Sequence, residues 1–124
     1  MSALLVFLGG GAGAVCRYAL AHWLGSPRLA EGGFPWATLG ANLLACLLLG
    51  YGLSLLGRNL LDRPGQLLLL TGFCGGFSTF STFAAELFTL AEEGHYLTGA
   101  TYLLVSVLGG MACLGLVAWL SVER

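Results

Sequence analysis

The sequence predicts an all-α membrane protein of four transmembrane helices, and three observations carry that prediction. Apolar residues make up 57% of the 124-residue chain and charged residues only 9%, far below the roughly 25% of an ordinary soluble domain. A water-facing surface cannot be assembled from that supply. The apolar residues gather into four stretches near the ~20 residues that cross a bilayer core. Short polar breaks separate these stretches and leave no length for a soluble domain.

Span one covers residues 3–24, and the loop after it holds Gly25, Ser26, Pro27, Arg28, Glu31 and Pro35, which no bilayer core accepts. The opening stretch, with Leu4 to Leu8 apolar and Ala12-Gly13-Ala14 beyond, has the outline of a signal peptide but lacks the basic leader of one. It therefore counts as part of the first span. Span two covers residues 36–56 and ends at Gly57, Arg58, Asn59, Asp62, Arg63 and Pro64. Span three covers residues 65–90, but the run from Gly72 to Phe80 puts adjacent glycines and hydroxyl residues at its middle, so the spacing predicts a helix broken there. Glu92, Glu93, Gly94 and His95 form the third loop, and span four covers residues 96–120.

Both ends of the chain then lie on one side of the membrane. That side carries Arg58, Arg63 and Arg124, against Arg28 and, if it lies near its span end, Arg17 on the other. Three against two chooses no orientation under the positive-inside rule, and insertion both ways is compatible with it. With no lysine and a net charge of -1, the chain has no basic face for nucleic acid. Cys16, Cys46, Cys74 and Cys113 each fall in a different span, without zinc-type pair spacing, and read as small packing residues. Gly9, Gly11 and Ala14, with Glu31 downstream, imitate a dinucleotide-binding spacing, yet the strand and parallel sheet that motif needs are missing. Gly9 and Gly13 at four-residue spacing read better as a close helix contact.

The polar residues inside the spans are the candidates for chemistry. Non-helical backbone at membrane depth must be enclosed by protein or line a polar cavity. If the first half of span three ends near Gly75, free carbonyls and a negative dipole end face the gap and can hold a cation. A glycine hinge that merely lets helices pack closely fits the same residues. In the repeat Ser78-Thr79-Phe80-Ser81-Thr82-Phe83, Phe80, Phe83 and Leu87 share one stripe at helical spacing, and Thr79, Thr82 and Glu86 a neighbouring one. Positive ring edges beside hydroxyl donors could face an anion; core or lipid-facing packing gives the same spacing. Asn42, one turn beyond Thr38, is either a pathway donor or helix glue. Tyr102, Ser106 and Gly110 recur every four residues on span four. Arg17 would reach the headgroups or a polar vestibule, and Glu86 is the only acid well inside a span. Four short helices fill their own interior, so a path for a solute needs a second copy.

Three runs, Gly13 to Tyr18 (GAVCRY), Thr38 to Asn42 (TLGAN) and Gly72 to Phe83 (GFCGGFSTFSTF), together resemble the CrcB or Fluc fluoride channels. The resemblance covers essentially the whole chain. It implies an antiparallel, dual-topology homodimer in the bacterial inner membrane, with two fluoride pores, passive fluoride export and a structural sodium ion at the two-fold interface. By position it assigns the sodium to backbone carbonyls of Gly75 and Ser78 and the anion-facing rings to Phe80 and Phe83. It makes Asn42 an amide donor, Arg17 a vestibule cation, and Ser81, Thr82, Glu86, Tyr102 and Ser106 polar lining. Ser78 and Gly110 depart from the residues frequent in that family. Two other functions compete with this one: a small dual-topology, proton-coupled cation exporter, which would need Glu86, and a non-transporting assembly subunit.

Overall fold

The structure, a computed structural model, describes residues 1–122; Arg124, one of the charges weighed above, lies outside the described residues. Four spans are long and apolar enough to cross a membrane: Ser2–Leu24, Trp36–Gly57, Arg63–Glu92 and Tyr96–Val122. The first two are continuous helices, α1 (Ser2–Leu24) and α2 (Trp36–Gly57). The third consists of α3, wound in series through Arg63–Gly65, Gln66–Cys74 and Gly75–Phe77, followed by α4 (Phe80–Glu92). The fourth is α5 (Tyr96–Val122).

Two features of the third span set up everything below. Its Gln66–Cys74 stretch is π-wound, a wider coil than the α-helix that usually appears only as single-turn bulges. After Phe77 the backbone leaves helical geometry for two residues, Ser78 (φ −77°, ψ 157°) and Thr79 (φ −151°, ψ 116°), both extended. The sequence reading puts the end of the first half near Gly75, whereas Gly75 is helical at φ −64°, ψ −37° and the winding continues to Phe77. The reason is chemical: the hydroxyl residues, not the glycines, end the coil. Ser78 donates both its N–H (3.0 Å) and its Oγ (2.9 Å) to the Cys74 carbonyl, and Thr79 Oγ1 accepts from Thr82 N–H (3.3 Å) as the N-cap of α4.

The glycines serve close approach instead. A Cβ on Gly13 would land on the Phe73 carbonyl oxygen and 2.7 Å from Phe77 N, and one on Gly76 would strike the Gly10 carbonyl. Helix α1 thus lies backbone to backbone on α3, as small residues at a membrane helix interface allow. On the other side, α2 packs along α5, with Gly110 facing Cys46 Sγ, which a Cβ there would meet at 3.3 Å. One core joins Leu39, Phe83, Leu90 and Tyr102; a second joins Ala41, Ala45 and Phe77. Most remaining apolar side chains point outward, and only 6% of the most apolar window of α5 is buried, which suits lipid or a partner chain and not water. Trp23, Trp36 and Trp119 are all exposed near span ends, where amphipathic rings sit at headgroup level. Cys74 is buried, as a packing residue should be, but Cys16 faces outward from α1, so the packing role read for all four cysteines does not hold there.

Candidate functional site

The site is organised by one side chain of α2. Asn42 Oδ1 accepts from Thr79 N–H at 2.8 Å, and Asn42 Nδ2 donates to the Thr79 carbonyl at 3.3 Å. A single amide therefore satisfies both backbone groups of an extended residue at membrane depth, where an unpaired group costs several kcal/mol. The exchange has a second effect. In a continuous helix Thr79 N–H would donate to the Gly75 carbonyl and Thr82 N–H to the Ser78 carbonyl; here they go to Asn42 and to Thr79 Oγ1. Two carbonyl oxygens on one short stretch are thereby released from helical bonding, and Gly75 lies on the outer face of the chain with open space beside it.

Around this stretch lie two cavities. The first, a groove of about 290 Å3 open along one side, is lined by Asn42, Ser78, Thr79, Phe80, Phe83 and Ser106 together with Cys46 and Val107. Ser106 Oγ is buried there with no hydrogen-bond partner, a rare state for a hydroxyl. The two phenylalanine rings stand 6.0 Å apart, centroid to centroid, at 48°. Their environments differ sharply: Phe83 is 8% exposed and meets Tyr102 edge-on at 5.0 Å, while Phe80 is 80% exposed. The second cavity, about 190 Å3, is lined by Arg17, Thr38, Thr79, Thr82 and Glu86 beside the Gly25–Pro27 turn. Thr79 borders both, and its hydroxyl lies 3.2 Å from Thr82 Oγ1 and 3.4 Å from Ser81 Oγ.

Arg17 is fixed at the rim of the second cavity by donating from Nε to the Gly76 carbonyl at 3.4 Å. Glu86 is held more tightly: Thr38 Oγ1 and Tyr102 OH each donate to its carboxyl at 2.7 Å. The partnership of Glu86 with Thr38 and Tyr102 joins three spans, and it could not be read from spacing; the only signal was Thr38 one turn before Asn42 on the same face. We expect Glu86→Leu, which strands two buried hydroxyls, to destabilise the protein by about 2–6 kcal/mol. Glu86→Gln keeps an acceptor and should lose less than half as much in a thermal melt. Equal melting losses in the two variants would remove the hydroxyl clamp as the explanation.

Among the residues read from the sequence, the structure gathers Asn42, Ser78, Phe80, Phe83 and Ser106 on the groove and Arg17, Thr82 and Glu86 on the second cavity. Tyr102 stands between them with its hydroxyl committed to Glu86, and Ser81 is exposed beside Thr79. Gly75 borders a third, smaller space with Cys46, Cys74 and Ser78. No group of three or more His, Cys, Asp or Glu side chains able to hold a metal occurs among the described residues.

Comparison with known proteins agrees over nearly the whole length. The family model described as "CrcB-like protein, Camphor Resistance (CrcB)" matches residues 4–118. A protein of Leptospira interrogans is 42% identical over 111 residues, covering 89% of this chain and 86% of its own. One from Phocaeicola vulgatus is 41% identical over 120 residues, covering 97% and 98%, and one from Rhizobium johnstonii is 38% identical over 125 residues, covering 100% and 97%. All three bear the name fluoride-specific ion channel FluC.

Proposed function

The chain belongs to the CrcB family, and we propose that it is a fluoride channel, working as an antiparallel homodimer that lets fluoride leave the cell passively across the bacterial inner membrane. The observation that carries this reading is the groove, where an unpaired buried hydroxyl, Ser106, lies beside the Phe80 and Phe83 rings and the Asn42 amide. Fluoride is small and strongly hydrated, and stripping an unpaired ion of water costs tens of kcal/mol by simple solvation estimates. A narrow route therefore needs fixed donors that are already in place. Neutral donors and ring edges supply them without the full positive charge that would trap the ion, and conduction requires release as well as binding. Arg17, at the rim of the second cavity, would gather the anion outside the narrow section.

The open side of the groove and the exposure of Phe80 support a two-chain pore, since one subunit does not enclose the route. The weak bias of Arg58, Arg63 and Arg124 against Arg28 and Arg17, three to two, supports insertion in both orientations. The carbonyls of Gly75 and Ser78 suit the sodium ion implied by the family: they are oxygen donors without helical partners, the donor type that hard cations take. When bound, sodium would supply a fixed positive charge tying the two subunits together at this stretch.

The decisive measurement is efflux of fluoride from liposomes containing the purified protein, read with a fluoride electrode. We expect fluoride flux without comparable chloride flux; absence of the first, or equality of the two, defeats the proposal. Phe80→Ala should lower the flux severely while melting as the parent does, because a ring 80% exposed contributes little to the subunit. Phe83→Ala is a poorer probe, since removing a buried phenylalanine costs about 3–5 kcal/mol on its own. For the dimer, Gly75→Ala is the informative change. A Cβ there meets nothing within 4 Å in the subunit, so the subunit should fold, but the pair should dissociate or bind sodium weakly in size-exclusion and isotope-binding measurements. A fully dimeric Gly75→Ala with parental sodium binding would move the interface elsewhere.

A further inference from the structure

The fluoride reading uses none of the chain's four free cysteines. Two of them, Cys46 on α2 and Cys74 on α3, line the same half-open cavity of about 130 Å3, whose remaining wall is apolar apart from Gly75 and Ser78. Drug-sized ligands occupy pockets of roughly 300–1,000 Å3, so this space fits an ion or a very small group. Cys74 is only 6% exposed, and neither thiol is in a disulfide. Cys113 of α5 is a neighbour of Cys46 but does not line this cavity, and no group of three or more His, Cys, Asp or Glu side chains able to hold a metal occurs among the described residues. A closed tetrahedral zinc site needs four such ligands, whereas two thiols are an arrangement that suits soft ions.

We propose that Cys46 and Cys74 form a binding site for a soft monovalent cation of the silver(I) or copper(I) class. Sulfur ligands select such ions over the hard cations that prefer oxygen. On binding, one thiol gives its proton to water and forms the metal–sulfur bond as a thiolate, while the other coordinates as a neutral thiol. The complex is uncharged overall and no electron is transferred, which suits an apolar wall that would penalise an unpaired charge. The site stands whether or not the chain conducts fluoride. It lies one residue wall away from the groove, since Ser78 and Cys46 border both spaces.

The test is competition. The purified full-length chain in lipid vesicles receives one equivalent of silver(I), then an excess of glutathione, and the silver remaining per chain is measured by mass spectrometry of the metal. A lone thiol yields its silver to the competitor, whereas two thiols on one scaffold hold it because the second contact is intramolecular. We expect the parent and the double variant Cys16→Ser with Cys113→Ser to retain silver alike, and Cys46→Ala and Cys74→Ala each to retain about tenfold less or lower still. Because Cys74 is buried, Cys74→Ser is run beside Cys74→Ala, and only variants eluting as the parent does are compared. Loss of silver from the parent, undiminished retention in a Cys46 or Cys74 variant, or loss in the Cys16 and Cys113 double variant overturns the proposal.

Discussion

Asn42→Ala is expected to cost about 2–6 kcal/mol of stability and to abolish fluoride efflux. The magnitude follows from two bonds rather than one. The Asn42 amide pairs with both the N–H and the carbonyl of Thr79, at 2.8 Å and 3.3 Å, and alanine leaves both backbone groups unpaired where lipid offers no substitute partner. Leaving one such group unsatisfied costs about 1–3 kcal/mol. Asn42→Asp separates the two contributions, because a carboxylate still accepts from Thr79 N–H but cannot donate to the carbonyl unless it is protonated. Hydrogen exchange at the Thr79 amide, alongside thermal melting, is the direct check. A variant as stable as the parent, with Thr79 still protected from exchange, would show that something other than Asn42 holds the extended residues in place.

The same pair of residues shows how far the sequence could be read. Composition and the lengths of the apolar runs were enough for four spans, because a bilayer fixes the length of what crosses it. Gly72, Gly75, Gly76, Ser78 and Thr79 marked where the third span would be irregular. What residue types could not apportion was labour within that run: Gly76 makes room for α1 while Ser78 and Thr79 end the coil. That division depends on which face of the span meets α1, a tertiary fact with no local signature. The π winding of Gln66–Cys74 was not legible either, since its residues are ordinary helix formers in the main. Asn42, Phe80, Phe83 and Ser106 could be named as candidates from periodicity and resemblance, and they do share a groove. The clamp on Glu86 joins Thr38 and Tyr102, 48 and 16 residues away, separations that one sequence cannot pair. The unequal exposure of Phe80 and Phe83 was hidden as well, because equal helical spacing says nothing about which ring has neighbours.

Gly13→Ala should be, with Gly9→Ala, among the most damaging single methyl additions to α1. The new Cβ would fall on the Phe73 carbonyl oxygen, 2.7 Å from Phe77 N and 3.1 Å from Gly76 C. All three are backbone atoms, so no rotamer change relieves the clash, and α1 must move off α3. Overpacking a core costs about 1–3 kcal/mol when side chains can yield, and with backbone on both sides the cost should exceed that range. The movement would also draw Arg17, four residues on, away from the Gly76 carbonyl it bonds at 3.4 Å, so the rim of the second cavity opens with the helix contact. Gly11→Ala is the matched control: its Cβ meets nothing within 4 Å, and alanine favours helix over glycine by about 0.8–1 kcal/mol. Expression and melting of the two variants in the same detergent should therefore diverge, with Gly11→Ala at or slightly above the parent and Gly13→Ala failing to give folded protein. If both melted like the parent, α1 would not lie on α3 as described, and Arg17 would lose the support that places it at the rim.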